Sequence, residues 1–113
     1  MKKVNTNNFK KTLSKFSTGI TVVCVKNNNS IYGKTVNSFN SLSLNPPMVL
    51  FSLGNYSSSI KQFSKTNFLS INILSSKQKK LSDNFASTTP KLENIKFIEG
   101  KYKTAIIPNC IAN

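Results

Sequence analysis

The chain contains no histidine and no arginine, and it has only three acids, Asp83, Glu93 and Glu99, all in its second half. Without histidine, and with so few carboxylates, the usual acid–base pairs and nucleophile–base arrangements cannot be assembled, so hydrolysis by a triad or by paired carboxylates is not the chemistry to expect. No side chain is assigned a catalytic role. The two cysteines, Cys24 and Cys110, follow no framework spacing and read as buried thiols rather than a disulfide. Together with the missing histidine they leave no metal site. No apolar run approaches the ~20 residues of a membrane helix, and the N-terminus lacks a signal peptide's hydrophobic stretch. A soluble, cytoplasmic protein with no membrane partner is the expectation. At 113 residues, the chain is expected to be one domain, 1–113, with a core but modest surface burial, which makes oligomerisation a sensible expectation.

What is abundant is lysine. All 16 basic residues are lysine and the formal net charge is +13. Clustered cations bind phosphate backbones by releasing counterions, but these are scattered, with the densest group at Lys77, Lys79 and Lys80. Arginine, the residue suited to base and phosphate forks, is missing. Lysine, asparagine and isoleucine together exceed a third of the chain, which reads as a coding bias toward A and T. Solvated surface lysine is the default reading, and nucleic acid is not the expected partner.

The most informative stretch is residues 33–47, GKTVNSFNSLSLNPP. It sets Thr35, Asn37, Ser38, Ser41 and Ser43 among Val36, Phe39, Leu42 and Leu44 in an extended segment that ends at a double proline. A core strand would not spend so many positions on hydroxyls and amides, because each one buried without a partner costs roughly 1–3 kcal/mol. A row of short donors and acceptors between apolar groups suits a flat, polar-edged ligand. A polar edge strand and loop is the plain structural reading of the same residues.

Around it the pattern is mainly strand. Phe9, Leu13 and Phe16 recur at helical spacing, with Gly19 placed to stop a helix laid over a barrel. ITVVCV, residues 20–25, is a β-branched, buried strand. NNNS, residues 27–30, turns it into a second strand over residues 31–38. Pro46 and Pro47 bar a regular ladder at their own positions, so a fresh strand is expected over residues 48–53. A helix carrying Ile60 and Phe63 comes next, then a strand over residues 67–74. Ser75 and Gln78 have capping-box spacing, which predicts a short helix over residues 77–85. Residues 86–103 read as irregular and residues 104–112 as further strand. Strands with short interposed helices suggest a β-barrel rather than a parallel sheet.

Four pieces in order, FKKTLSKFSTGITVVCV from Phe9, GKTVNSFNSLSLNPPMVLFSL from Gly33, SSSIKQFSKTNFLSINIL from Ser57 and QKKLSDNFA from Gln78, resemble the flavin reductase family of FMN-binding split β-barrels over nearly the whole chain. The resemblance implies a mainly β fold with short helices, a split barrel. It also implies NAD(P)H-dependent reduction of FMN or FAD, a homodimer, and a monooxygenase that receives the reduced flavin. Hydride transfer through a flavin needs binding, orientation and exclusion of water more than a protein base, which agrees with the lack of catalytic groups.

By the same resemblance, Thr35, Val36, Asn37 and Ser38 lie along the isoalloxazine and ribityl chain. Ser52 and Leu53 border the same pocket. Ser57, Ser58 and Ser59 open a helix where free N–H groups and hydroxyls favour the phosphate, and a plain N-cap is their structural reading. Asn72 and Phe85 match positions near the pocket, with core packing the alternative for Phe85.

Two departures from the family pattern stand out. Tyr56 occupies the place where many members carry a cation before the phosphate-side serines. The sequence ends at Asn113, where members continue through further strands and a Gly-Asp-His motif, so the resemblance implies a barrel incomplete at its C-terminus. Two other readings therefore stay open, a flavin-binding protein or fragment without reductase turnover and a basic nucleic-acid-binding β-barrel.

Overall fold

The computed structural model describes residues 3–16, 18–55 and 59–113. Its centre is β1 (Thr21–Asn27), which pairs antiparallel with β2 (Ser30–Val36) on one edge and with β5 (Ser70–Ile73) on the other, in the order β2-β1-β5. The β1–β2 hairpin turns through Asn28 and Asn29, both left-handed at φ 49° and 66°. Two successive positive φ values are what a tight hairpin turn with the strands' own twist requires, and asparagine tolerates them better than most side-chain-bearing residues.

Because β1 is paired along both edges and covered on both faces, Thr21, Val22, Val23, Cys24 and Val25 are all buried. Val22 and Cys24 share one cluster with Leu74, Phe85, Ala105 and Ile107. Phe85 comes from α3 (Lys79–Ala86), which packs on β2. The contact is close because Gly33 has no side chain: a Cβ built there would stand 2.6 Å from Phe85 Cε1. Burying a ring of this size is worth roughly 1.5–3 kcal/mol by transfer alone. The capping box expected from Ser75 and Gln78 is present, with the Ser75 N–H donating to Gln78 Oε1 at 2.9 Å. Its first turn, Ser76–Gln78, is a 3-10 turn that leads into α3.

The remaining strands form two further pairs. β3 (Asn40–Leu44) and β4 (Pro47–Leu50) make a hairpin across a turn with a cis Asn45–Pro46 peptide. The fresh strand expected over residues 48–53 is β4, which starts one residue earlier and ends at Leu50, whereas β3 is a separate strand beyond those expected. Pro47 pairs with Leu44 as the first residue of β4, a position where the lack of an N–H is tolerated. β6 (Ile98–Glu99) pairs with β7 (Ala105–Ile106) inside the stretch read largely as irregular, and a bridge joins Ile73 to Ala112.

The helices are short. α1 (Thr6–Leu13) is capped by Asn5, whose side chain accepts from the N–H groups of Asn7 and Asn8. It ends at Leu13 rather than at Gly19, which lacks the positive φ of a left-handed cap. Phe9, Leu13 and Phe16 are exposed. α2 (Ile60–Phe63) is a single turn. The described residues thus form a mainly β fold with short helices, its strands arranged as one three-stranded and two two-stranded sheets.

Candidate functional site

The polar run after Gly33 divides between the core and the surface. Thr35 faces α3 and its hydroxyl donates to the Ser82 carbonyl at 2.7 Å, so its proton is committed while its lone pairs remain. Val36 points the other way and is buried, as strand alternation demands. β2 then ends, and Asn37 emerges exposed. It lines a depression of about 450 Å³ whose other walls include Phe9, Leu13, Phe16 and Ile20. Ser38 is half-buried and its Oγ accepts from the Ser52 N–H at 2.8 Å. That contact ties the end of β2 to the residues after β4 and brings Ser52, exposed, and Leu53, half-buried, to the same shelf. Among the described residues no acceptor takes the Ser38 hydroxyl proton.

Ser59 is 9% exposed and lines a separate cavity of about 360 Å³ with Tyr32, Gly33, Thr88, Pro90 and Leu92. Ser57 and Ser58, expected beside it, lie outside the described residues, as does Tyr56. α2 is too short to carry a strong helix-end field, since the macrodipole sums aligned peptides along a helix.

Two residues expected near the pocket are inside the core. Asn72 is 0% exposed. Its Nδ2 donates to the Val22 carbonyl at 3.0 Å and to Ser70 Oγ at 3.2 Å, while its Oδ1 accepts from the Ile107 N–H and from Asn113 Nδ2, each at 2.9 Å. All four hydrogen-bonding positions of the amide are filled by the protein. Phe85 is likewise 0% exposed, with its ring against Gly33. Both are placed to hold β1, β2, β5 and the segment at Ile107 together.

The thiols are free, and burial pushes Cys24 up to about 12, while Cys110 is also raised, chiefly by burial. Neither offers a thiolate at neutral pH. Among the described residues no group of three or more histidine, cysteine, aspartate or glutamate side chains is gathered for a metal, and no helix is long and apolar enough to cross a membrane.

The flavin reductase like domain matches residues 13–113. The chain belongs to that family. As a flavin reductase like domain it is 34% identical over 108 residues to the FMN reductase (NADH) SmoA of Agrobacterium fabrum, an alignment covering 96% of this chain and 62% of that protein. It is 33% identical to HsaB, the reductase subunit of a flavin-dependent monooxygenase in Mycobacterium tuberculosis, over 92% of this chain and 56% of HsaB. Its fold superimposes on the flavin reductase PheA2 with a TM-score of 0.83 and 34% identity, covering 95% of this chain and 69% of PheA2. The chain therefore spans a little over half of these curated relatives' length. Within the domain, sequence reasoning missed the separate β3–β4 hairpin and a cavity of about 950 Å³ beside α3. Residues 40–44 do alternate serine with leucine, which is a strand signal, but the double proline beyond them marks the start of β4 more strongly. The cavity leaves no local signal, because its walls come from three separate segments.

Proposed function

We propose that this flavin reductase like domain binds FMN, or FAD, and serves NAD(P)H-dependent reduction of it, with the reduced flavin passed to a monooxygenase. What carries the reading is the exposed Asn37 amide beside the Ser38–Ser52 contact, in a chain of this family. The donor set fits a flavin. An isoalloxazine edge alternates carbonyl and N–H groups, and an amide can both donate to and accept from such an edge. Ser38 adds a donor, Thr35 adds acceptor capacity, and Leu53 supplies apolar surface, while Val36, buried at the end of β2, holds the segment in place from the core side. A bound flavin would supply the hydride chemistry, and the residues of this chain would bind and orient it and exclude water.

Ser59, with Ser57 and Ser58, is proposed for the phosphate end. Asn72 and Phe85 are not part of the proposed contact set, because their polar atoms and ring are spent in the core. NADH as donor is supported by the name of the Agrobacterium relative, and a monooxygenase partner by the name of HsaB. A homodimer is supported by the apolar residues that the β3–β4 hairpin exposes. A cytoplasmic location suits a reaction fed by reduced nicotinamide.

The test is titration of FMN with the protein, monitored by fluorescence quenching. Asn37→Leu is expected to weaken FMN binding about tenfold, the loss of one or two hydrogen bonds, without moving the urea midpoint. Equal affinity in the variant removes Asn37 from the site, and absence of quenching by the unaltered protein removes the flavin reading itself. Oxidation of NADH dependent on added FMN then separates turnover from binding.

A further inference from the structure

A second, roomier cavity lies elsewhere. About 950 Å³ in volume, it lies between the start of α3, residues 94–96 and residues 107–109. It shares no lining residue with Thr35, Val36, Asn37, Ser38, Ser52, Leu53 or Ser59. Its floor is apolar, formed by Leu81, Ile95 and Pro108 over the buried Ile107, and its lining carries two lysines, Lys77 and Lys96, with no acid. A concave site of this size, mostly apolar with a few polar groups, is the usual form of a small-molecule site.

The walls are held from within the protein. Gln78 accepts from the Ser75 N–H and donates to the Pro108 carbonyl at 2.9 Å, so it fixes the start of α3 to the facing segment. Ile107 is fully buried, and its N–H is held by Asn72. The cavity is thus shaped by hydrogen bonds that reach back into the core, while Lys77 and Lys96 are both exposed and neither is in an ion pair among the described residues.

We infer that this cavity is a second binding site, for a small amphipathic anion with a carboxylate head and an apolar body of about one ring. The apolar floor removes the body from water, and two ammonium groups unopposed by any lining acid select the sign of the head. An uncharged analogue gains only the first of these. A cationic one is repelled.

The probe is benzoate, with benzamide as its uncharged counterpart, each titrated into the isotope-labelled full chain and tracked by backbone amide chemical shifts. Benzoate is expected to give saturable shifts concentrated at Lys77, Ile95, Lys96 and Asn109, and benzamide to bind about tenfold more weakly at low salt. Lys77→Glu/Lys96→Glu is expected to abolish the advantage of benzoate over benzamide. Ile95→Trp, which fills the space, is expected to weaken both probes alike. Shifts that rise linearly without saturation, or that centre on other residues, overturn the proposal. Equal binding of the two probes also overturns it. FMN titrated separately should move Asn37 and Ser38 and leave the cavity resonances in place; FMN shifts at Lys77 and Lys96 would make the cavity part of the flavin site and end the proposal as a distinct one.

Discussion

β1 and the β3–β4 hairpin are built from similar apolar residues and meet opposite fates. β1 is paired on both edges, covered on both faces, and buries five residues in succession. In the hairpin each strand is paired on one edge only among the described residues, and Leu42, Leu44, Met48, Val49 and Leu50 are all exposed, Leu44 at 91%. Hydrophobicity alone therefore does not bury a strand. Neighbours on its edges and faces do, and the described residues of one copy supply the hairpin few beyond its own two strands. A second contrast runs alongside the first. Residues 40–50 carry no charged side chain although the chain has 16 lysines, so the hairpin is an uncharged apolar surface on a strongly basic protein.

The sharpest way to break the first half of the contrast is to empty the core on one face of β1. Phe85→Ala removes the ring that fills the space over Gly33 and Val22, and a loss of about 4 kcal/mol is expected, as for other buried aromatics cut to alanine. Urea unfolding should show it as a large drop in midpoint. Asn72→Leu keeps the branched shape but leaves the Ile107 N–H without its acceptor, and about 3 kcal/mol is expected from the unsatisfied groups. If Asn72→Leu instead leaves the midpoint unchanged, the amide is not the tie between β5 and the segment at Ile107.

Gly33→Ala tests the same packing from the opposite side. A methyl group 2.6–2.7 Å from the Phe85 ring cannot be accommodated unless α3 shifts, and about 2 kcal/mol of destabilisation is expected from overpacking. Pairing it with Phe85→Leu should recover part of the loss, since the two changes act on one contact.

Cys24 gives a smaller effect with a pH signature. Its thiol stays protonated in the folded protein until about 12, whereas an unfolded thiol ionises near its ordinary value of 9.0. Between those values the unfolded state has released a proton that the folded state retains, so stability falls as pH rises through this window. Below it the contribution is fully present. Cys24→Ala is expected to be about 1 kcal/mol less stable at pH 8 through lost packing, and that gap should narrow above pH 9. A gap that widens with pH would show that the thiol ionises more readily in the folded state than in the unfolded one.

Much of this is legible in the sequence because it depends on local chemistry. ITVVCV announces a buried strand by β-branching, the asparagines at 27–29 announce a hairpin turn, and Ser75 with Gln78 announces a helix start. The flavin reductase resemblance rests on the order of such pieces, and the family match bears it out. Which polar residues face inward is not legible in the same way. Asn72 and Asn37 are the same residue type in strand-like surroundings, yet one has every hydrogen-bonding position filled by groups 2 to 50 residues away and the other is exposed. Only tertiary pairing decides that. The end of α1 escapes the sequence for a related reason: Gly19 marks a possible stop, but the chain leaves the helix as soon as Ser14 and the next turn offer the last carbonyls partners.

The last prediction tests the other half of the contrast, the uncovered hairpin. Leu44 gains almost nothing from packing within one copy, so Leu44→Lys is expected to change the unfolding free energy of dilute protein by less than about 0.5 kcal/mol, the range for surface substitutions. If two copies cover each other's hairpins, the same change should matter greatly to association, since a lysine placed there would face another cation from the partner across an otherwise uncharged contact. Sedimentation at a series of concentrations should show the unaltered chain associating and Leu42→Lys/Leu44→Lys as a monomer at the same concentrations. Asn37 lies just beyond the end of β2, and the hairpin begins at Asn40. FMN affinity measured on the same samples therefore asks whether the shelf at Asn37 and Ser38 is complete in one copy. Equal FMN binding by monomer and dimer would make the hairpin a structural contact alone, and weaker binding by the monomer would make the second copy part of the flavin site. A chain that is already monomeric with all five apolar residues exposed would sink the homodimer reading and leave the hairpin's exposure to be answered by a different partner.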